Sequence, residues 1–296
     1  MHNGKYSVIQ SRRLIYSIII VAITMLIEIV GGIISHSLAL LSDAGHMLTD
    51  LFALVLSWMA HKFSVKKSDL QRSYGYHRVQ IIAAFINGLT LFLVAAVVIV
   101  ESVKRFISPV DVEWRVMLII AIFGLISNIM VFFVLHNKCE SNINIKSAVL
   151  HVIGDILGSV AAILASVIIM LTGWQIADPI LSVFVSVIIL NSGYKITKNS
   201  CHILLEGTPD NISIEEIKSQ IMSALPEVAD VHHIHAWSLS DNYFVITMHA
   251  KIEQKTQYTN TLYDIKRILL HKFKIAHSTI EIEYDECADN DSTPKV

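Results

Sequence analysis

Long apolar runs broken by short polar stretches fill the first two thirds of this chain, after which hydrophobic and polar residues alternate over much shorter distances. Six runs, roughly 14–34, 38–60, 79–100, 116–135, 148–171 and 176–196, are long enough to cross a bilayer, which takes about 20 residues at ~1.5 Å of rise each. Only Ser35-His36-Ser37 separates the first two runs, and only Gly173-Trp174-Gln175 marks the break between the last two. Each pair is therefore predicted to form a tight antiparallel hairpin, with both turns on the same side.

Beyond Lys198 the pattern becomes that of a soluble domain. Ser213 is placed to cap a helix carrying Ile217, Ile221 and Leu225, with Pro226 after its end. Residues 228–239 and 243–252 read as strands joined by Ser240-Asp241-Asn242, a hairpin signal. Leu262, Ile265, Ile268, Leu269 and Phe273 mark a second helix, and 279–284 a last alternating strand. The order αββαβ predicts a small α+β domain of ferredoxin-like type. The expected division is a six-helix transmembrane domain over 1–200, a ferredoxin-like domain over 201–287 and a disordered polar tail over 288–296.

Composition supports a polytopic membrane protein: 53% of residues are hydrophobic, 16% are charged, and the mean hydropathy is +0.57. Cys139, Cys201 and Cys287 lie far apart without CxxC spacing, which indicates neither a disulfide framework nor an all-thiolate zinc site. The first run follows Arg12-Arg13 without a small-residue cleavage pattern and reads as a retained span. Lys5, Arg12, Arg13, Lys62, Lys66, Lys67, Arg72, Arg78, Lys138, Lys146, Lys195 and Lys198 fall on one side of the predicted spans. The other side carries only Lys104, Arg105 and Arg115. Both termini are thus expected in the cytoplasm. From Glu206 onward there are fifteen Asp or Glu against eight Lys or Arg, a balance that attracts cations and repels nucleic acid.

Ionisable residues inside apolar spans are costly and mark function. His46 and Asp50 stand four residues apart in the second run, and His151 and Asp155 repeat that spacing in the fifth. Residues four apart share a helix face. Counting ~1.5 Å per residue, Asp50 lies ~18 Å into a span running inward and Asp155 ~10 Å into one running outward. In a core of ~30 Å these levels nearly coincide. An isolated intramembrane His or Asp often serves helix–helix hydrogen bonding. Two identical pairs at matched depth favour one N2O2 metal site, which suits zinc and, lacking sulfur, disfavours copper(I). Zinc needs neutral imidazole and ionised carboxylate, so its binding competes with protons. No HExxH occurs, and four protein ligands could close the site, which argues against an intramembrane metallohydrolase.

The stretches Ser37-Leu38-Ala39-Leu40-Leu41-Ser42-Asp43-Ala44-Gly45-His46-Met47-Leu48-Thr49-Asp50, Tyr74-Gly75-Tyr76-His77-Arg78, Ala148-Val149-Leu150-His151-Val152-Ile153-Gly154-Asp155, Ala177-Asp178-Pro179 and Leu204-Leu205-Glu206-Gly207-Thr208-Pro209 resemble the cation diffusion facilitator family in its bacterial zinc-efflux branch. The resemblance implies a homodimeric metal–proton antiporter, not an enzyme. It implies six transmembrane helices in the bacterial inner membrane, a cytoplasmic ferredoxin-like domain and export of Zn2+, with Cd2+ or other divalent cations possible and H+ as counter-ion. His46, Asp50, His151 and Asp155 match its transport site. His232, His249 and Asp285 align with its cytosolic zinc ligands, with Glu283 where relatives can have histidine.

The chain departs from the family pattern in lacking a histidine-rich connection between spans four and five. The connection between spans two and three offers Asp69 and His77 but has Arg72 and Tyr76 where further ligands are expected. Strict alternation would place His233 with His235 on one strand face and His232 on the other. Cys287 stands near the cytosolic set and reads equally well as a bystander thiol. Glu28, Asn87, Asn128 and Asp178 read first as helix-packing residues, while Asp43, on nearly the same face as His46, reads equally as an outer partner or proton-path group of the metal site and as a structural residue.

Overall fold

The computed structural model describes residues 3–64, 68–136, 143–240, 243–253, 258–284 and 287, and for residues 3–18, 50, 53–64, 134–136 and 143–153 only the backbone. Six long helices come first: α1 (Asn3–Ser35), α2 (Leu38–Ser64), α3 (Arg78–Ile107), α4 (Trp114–His136), α5 (Ile143–Thr172) and α6 (Ala177–Leu204). Most of them outrun the apolar stretch that announced them, because Lys, Arg, Gln and Glu continue a helix as well as Leu does once it leaves the lipid. Among the described residues, α3, α4, the 154–172 part of α5 and α6 are long and apolar enough to span a membrane. The described apolar part of α1, Ile19–Ser35, is shorter.

The helical part is inverted relative to a soluble bundle. Glu28, Ser42, Asp43, Asn128, Ser159, Ser166, Asp178, Ser182 and Ser186 are buried, while Leu93, Val97, Phe133 and Phe184 face outward. Lipid is as apolar as leucine, so helix association relies on close packing and internal hydrogen bonds. Small residues supply the packing: Ala39, Ala121, Ala162 and Ala165 join α2, α4 and α5 around Leu40 and Met117. Ala95 and Ala161 do the same beside Leu91, Val185 and Ile189.

Both connections are short. Between α1 and α2, His36 adopts a left-handed φ of +53°, and between α5 and α6 Gly173 takes φ +68°. Asp178, at the start of α6, reaches across 140 residues of sequence to cap α2. Its carboxylate accepts the Ser37 hydroxyl at 2.7 Å and the Leu38 and Ala39 amides at 2.8 and 3.1 Å. Ser37 itself accepts the Leu40 amide at 3.3 Å, so the exposed N–H groups that open α2 are satisfied by two residues together. Arg105 lies 3.6 Å from Asp178 and donates to the His36 carbonyl, and its side chain is only 11% exposed. This arginine, counted above among loop charges, is therefore an internal counter-ion of the cap.

The chain divides into two compact units, residues 1–59 with 83–197, and residues 60–82 with 198–296. The second contains α7 (Ile214–Ala224), β1 (Val228–Ser240), β2 (Tyr243–Ile252), α8 (Tyr258–Phe273) and β3 (His277–Glu283). This is the expected αββαβ order. Ser213 caps α7 by accepting the Glu216 amide at 3.2 Å. β1 runs antiparallel to β2, and β3 parallel to it, in the order β1-β2-β3, with α8 as the crossover a parallel pair requires. Ile217 and Ile221 of α7 and Ile265 and Leu269 of α8 close a core over Val231, Ile246, Met248 and Ala250. His249 and Glu283 alternate with core residues along β2 and β3 and lie on the opposite face of the sheet. The predicted tail, 288–296, lies outside the described residues.

Candidate functional site

The helical unit brings one member of each His-x-x-x-Asp pair together. His46 of α2 lies with its Nε2 3.9 Å from Oδ1 of Asp155 on α5, and both side chains are largely buried, at 13% and 5% exposure. The side chains of Asp50 and His151 lie outside the described residues.

A cavity of about 110 Å3 opens beside His46, lined also by Asp43, Gly154, Gly158 and Ser192. Gly154 and Gly158 of α5 stand four apart and clear the helix face there. A Cβ at Gly154 would meet nothing within 4 Å, whereas one at Gly158 would come within 2.5 Å of Asp43 Oδ1. The cavity can hold a few waters at about 30 Å3 each. Asp43 is positioned by the Ser159 hydroxyl at 3.3 Å, and Ser159 in turn accepts from Asn128 at 3.3 Å. This chain links α2, α5 and α4. Glu28 is fully buried in α1, its carboxylate against the Gly124 backbone of α4, and neither of its oxygens has a hydrogen-bond donor among the described residues.

The second unit assembles a different group. His232 and His249 are direct partners across β1 and β2, and Glu283 ends the neighbouring β3. Glu283 Oε1 lies 2.8 Å from His249 Nδ1, and its Oε2 3.0 Å from His232 Nε2. Cys287 Sγ is 3.5 Å from His249 Nδ1. One ligand atom from each of His232, His249, Glu283 and Cys287 lies within 4.8 Å of every other. Burial pushes the Glu283 carboxyl up, but hydrogen bonds from Cys287 and His249 and the charge of the two imidazoles outweigh it and hold the group below its ordinary range.

Two expectations change here. The ladder is irregular between His232 and His235, and His233 takes a left-handed φ of +48°. That bulge breaks strict alternation, so the His233 ring sits with those of His232 and His249, 5.4 and 5.0 Å away centre to centre. His233 therefore shares the face of His232. Cys287, which the sequence left open as a bystander, stands within the group, and the signal that could have found it was its place four residues after Glu283. Asp285 lies outside the described residues.

In the connection between α2 and α3, Asp69 accepts the Tyr76 hydroxyl at 2.8 Å and the Arg72 and Gln71 amides at 2.7 and 3.0 Å. The Tyr76 hydroxyl first, and the Arg72 amide next, hold its carboxyl below the ordinary value. His77 stacks on Tyr243 at 4.9 Å. Both would-be ligands are thus engaged separately, and no metal-binding group forms there among the described residues. Arg78, which closes the same stretch, donates to Glu206 at 2.8 Å.

Comparison with known proteins adds an independent line. Residues 14–205 match the model of the cation efflux transmembrane domain, and residues 209–285 that of the cation efflux protein cytoplasmic domain. The chain is 43% identical over 281 residues to the zinc transporter ZitB of Pectobacterium atrosepticum, covering 95% of this chain and 88% of that one. It is 40% identical over 275 residues to the cadmium, cobalt and zinc/H(+)-K(+) antiporter of Bacillus subtilis, covering 91% and 88%. It is 36% identical over 269 residues to the metal cation efflux system protein CzcD of Cupriavidus metallidurans, covering 90% and 85%.

Proposed function

The chain belongs to the cation efflux family, a family of multi-pass membrane transporters, and from that premise we propose that it exports Zn2+ from the cytoplasm in exchange for protons through a site made of His46, Asp50, His151 and Asp155. The observation that carries this reading is the approach of His46 to Asp155, one residue from each repeated pair, beside a cavity in the helical unit. Two imidazoles and two carboxylates form a charge-compensating tetrahedral set for zinc. The relatives' names, a zinc transporter and a cadmium, cobalt and zinc antiporter, support zinc as a cargo and leave room for Cd2+ and Co2+.

Proton coupling follows from the same ligands. Zn2+ binds imidazole and carboxylate only after their protons leave, so loading from a near-neutral cytoplasm and release toward a more acidic exterior use one chemical exchange. Asp43, held by Ser159, is an outer partner that orients the site. The cytosolic residues His232, His249, Glu283 and Asp285 form a second metal site in this reading, and the chain works as a homodimer with its termini in the cytoplasm.

The test is Zn2+ flux into proteoliposomes driven by a pH gradient. Asp50→Ala and His151→Ala should each lower flux by about 100-fold, since loss of even an outer partner costs 10- to 100-fold in metal affinity. Wild-type flux in either variant, with normal folding, would remove the four-residue site from the account.

A further inference from the structure

We infer that Cys287, in place of Asp285, supplies a thiolate as the fourth ligand of the cytosolic site, which makes that site an N2OS tetrahedron tuned to thiophilic divalent cations, unlike the all-nitrogen-and-oxygen set proposed within the membrane. The inference rests on the reading of His232, His249 and Glu283 as metal ligands.

The geometry is specific. Three neighbouring strands each contribute one residue on the sheet face opposite the core, and Cys287, four residues after the end of β3, stands beside His249. A tetrahedral zinc with bonds of about 2.0–2.3 Å has ligand atoms about 3.3–3.8 Å apart. The four atoms already lie within 4.8 Å of one another, so closure needs movements of about 1 Å. Glu283 is the anchor. Its side chain is 6% exposed, and Oε2 faces His232 Nε2 at 3.0 Å without a hydrogen bond of good geometry. A buried carboxylate oxygen so placed is aimed into the group rather than consumed by the fold.

The donor set decides the ligand class. Imidazole, carboxylate and thiolate together favour Zn2+, Cd2+ and Co2+ and discriminate against Mg2+, Ca2+ and Mn2+, which prefer oxygen. Metal binding deprotonates the thiol, and the proton leaves to solvent.

The experiment uses the full chain in detergent with Cys139→Ser and Cys201→Ser, leaving Cys287 as the sole thiol, titrated with Co2+ as a spectroscopic stand-in for zinc. The expected result is a near-ultraviolet sulfur-to-cobalt charge-transfer band that disappears on Cys287→Ser, with Cd2+ affinity at this site falling at least about tenfold. His249→Ala should lower the Co2+ stoichiometry and abolish the band. If His249→Ala lowers stoichiometry but no band is seen and Cys287→Ser binds as before, the thiolate is not a ligand and the inference is overturned, while the cytosolic site stands. Asp285→Asn then identifies a carboxylate closure. If stoichiometry is unchanged in both His249→Ala and His232→Ala, the cytosolic site itself is wrong and the inference falls with it. Cys287 lies beyond β3, so its substitution leaves the core of the domain untouched.

Discussion

The two proposed metal sites of this chain draw on similar side chains and are built by opposite means. In the helical unit, His46 of α2 and Asp155 of α5 approach each other, so the proposed site needs two helices brought together. In the cytoplasmic domain, His232, His249 and Glu283 come from three strands and meet only through strand register. The first site depends on long-range polar support, namely the Asn128–Ser159–Asp43 chain and the Asp178 cap. The second depends on a bulge and a packed sheet. A helical site is therefore sensitive to how helices are held, and a sheet site to where each strand is paired.

The sharpest way to break this comparison is Asp178→Ala. It leaves Ser37 and two amides at the start of α2 without their acceptor and strands the buried Arg105. The expected loss is about 3–5 kcal/mol, the cost of removing one partner of a buried ion pair. Thermal unfolding in detergent should show it, and Zn2+ flux should fall while Co2+ binding at the cytosolic histidines persists. If cytosolic binding is lost equally, the two sites do not have separate supports.

Gly158→Ala tests the helical support at closer range. A Cβ there would press on Asp43 Oδ1, so either α5 or the carboxylate must shift. Overpacking of this kind costs about 1–3 kcal/mol. The measurement is flux against melting temperature: flux should drop by more than the modest melting shift accounts for, because the displaced group stands beside His46. Unaltered flux would show that the position of Asp43 is immaterial to transport.

Asp230→Asn should do least. Its carboxylate pairs with Lys218 at 2.7 Å at the edge of the domain, both side chains 43% exposed, and such pairs contribute under about 1 kcal/mol. The hydrogen bond from Lys218 holds the carboxyl below its ordinary value of 3.8, outweighing the effect of burial. A lowered carboxyl contributes stability above its unfolded value and loses it as pH falls through the folded one. The small advantage of wild type over Asp230→Asn should therefore be present at neutral pH and shrink below pH 3.8, in pH-dependent melting curves.

The difference in construction also governs what could be read in advance. The six helices and the αββαβ order were legible because apolar run length and alternation are local. The four-residue spacing of His46 and Asp50 is local in the same way, since helical spacing is printed in the sequence. The cap on α2 was not legible, because its acceptor lies 140 residues away, and in the sequence Asp178 reads as a helix-packing residue or a helix end before Pro179 without naming its partner. Nor was the place of His233, because a single left-handed residue reverses which face it takes. Cys287 was left open between ligand and bystander, because its distance from His249 on another strand is not written in local spacing.

The capped end of α2 has one more consequence, in the mechanics of the helix. With Leu38 and Ala39 held by Asp178, that end is a fulcrum and the rest of α2 a lever. His46 stands eight residues along it, about 12 Å from the pivot, so a tilt of about 10° sweeps its ring about 2 Å. Metal–ligand bonds tolerate only about 0.2 Å. A swing too small to disturb the fulcrum is thus ample to make or break a bond to the ion.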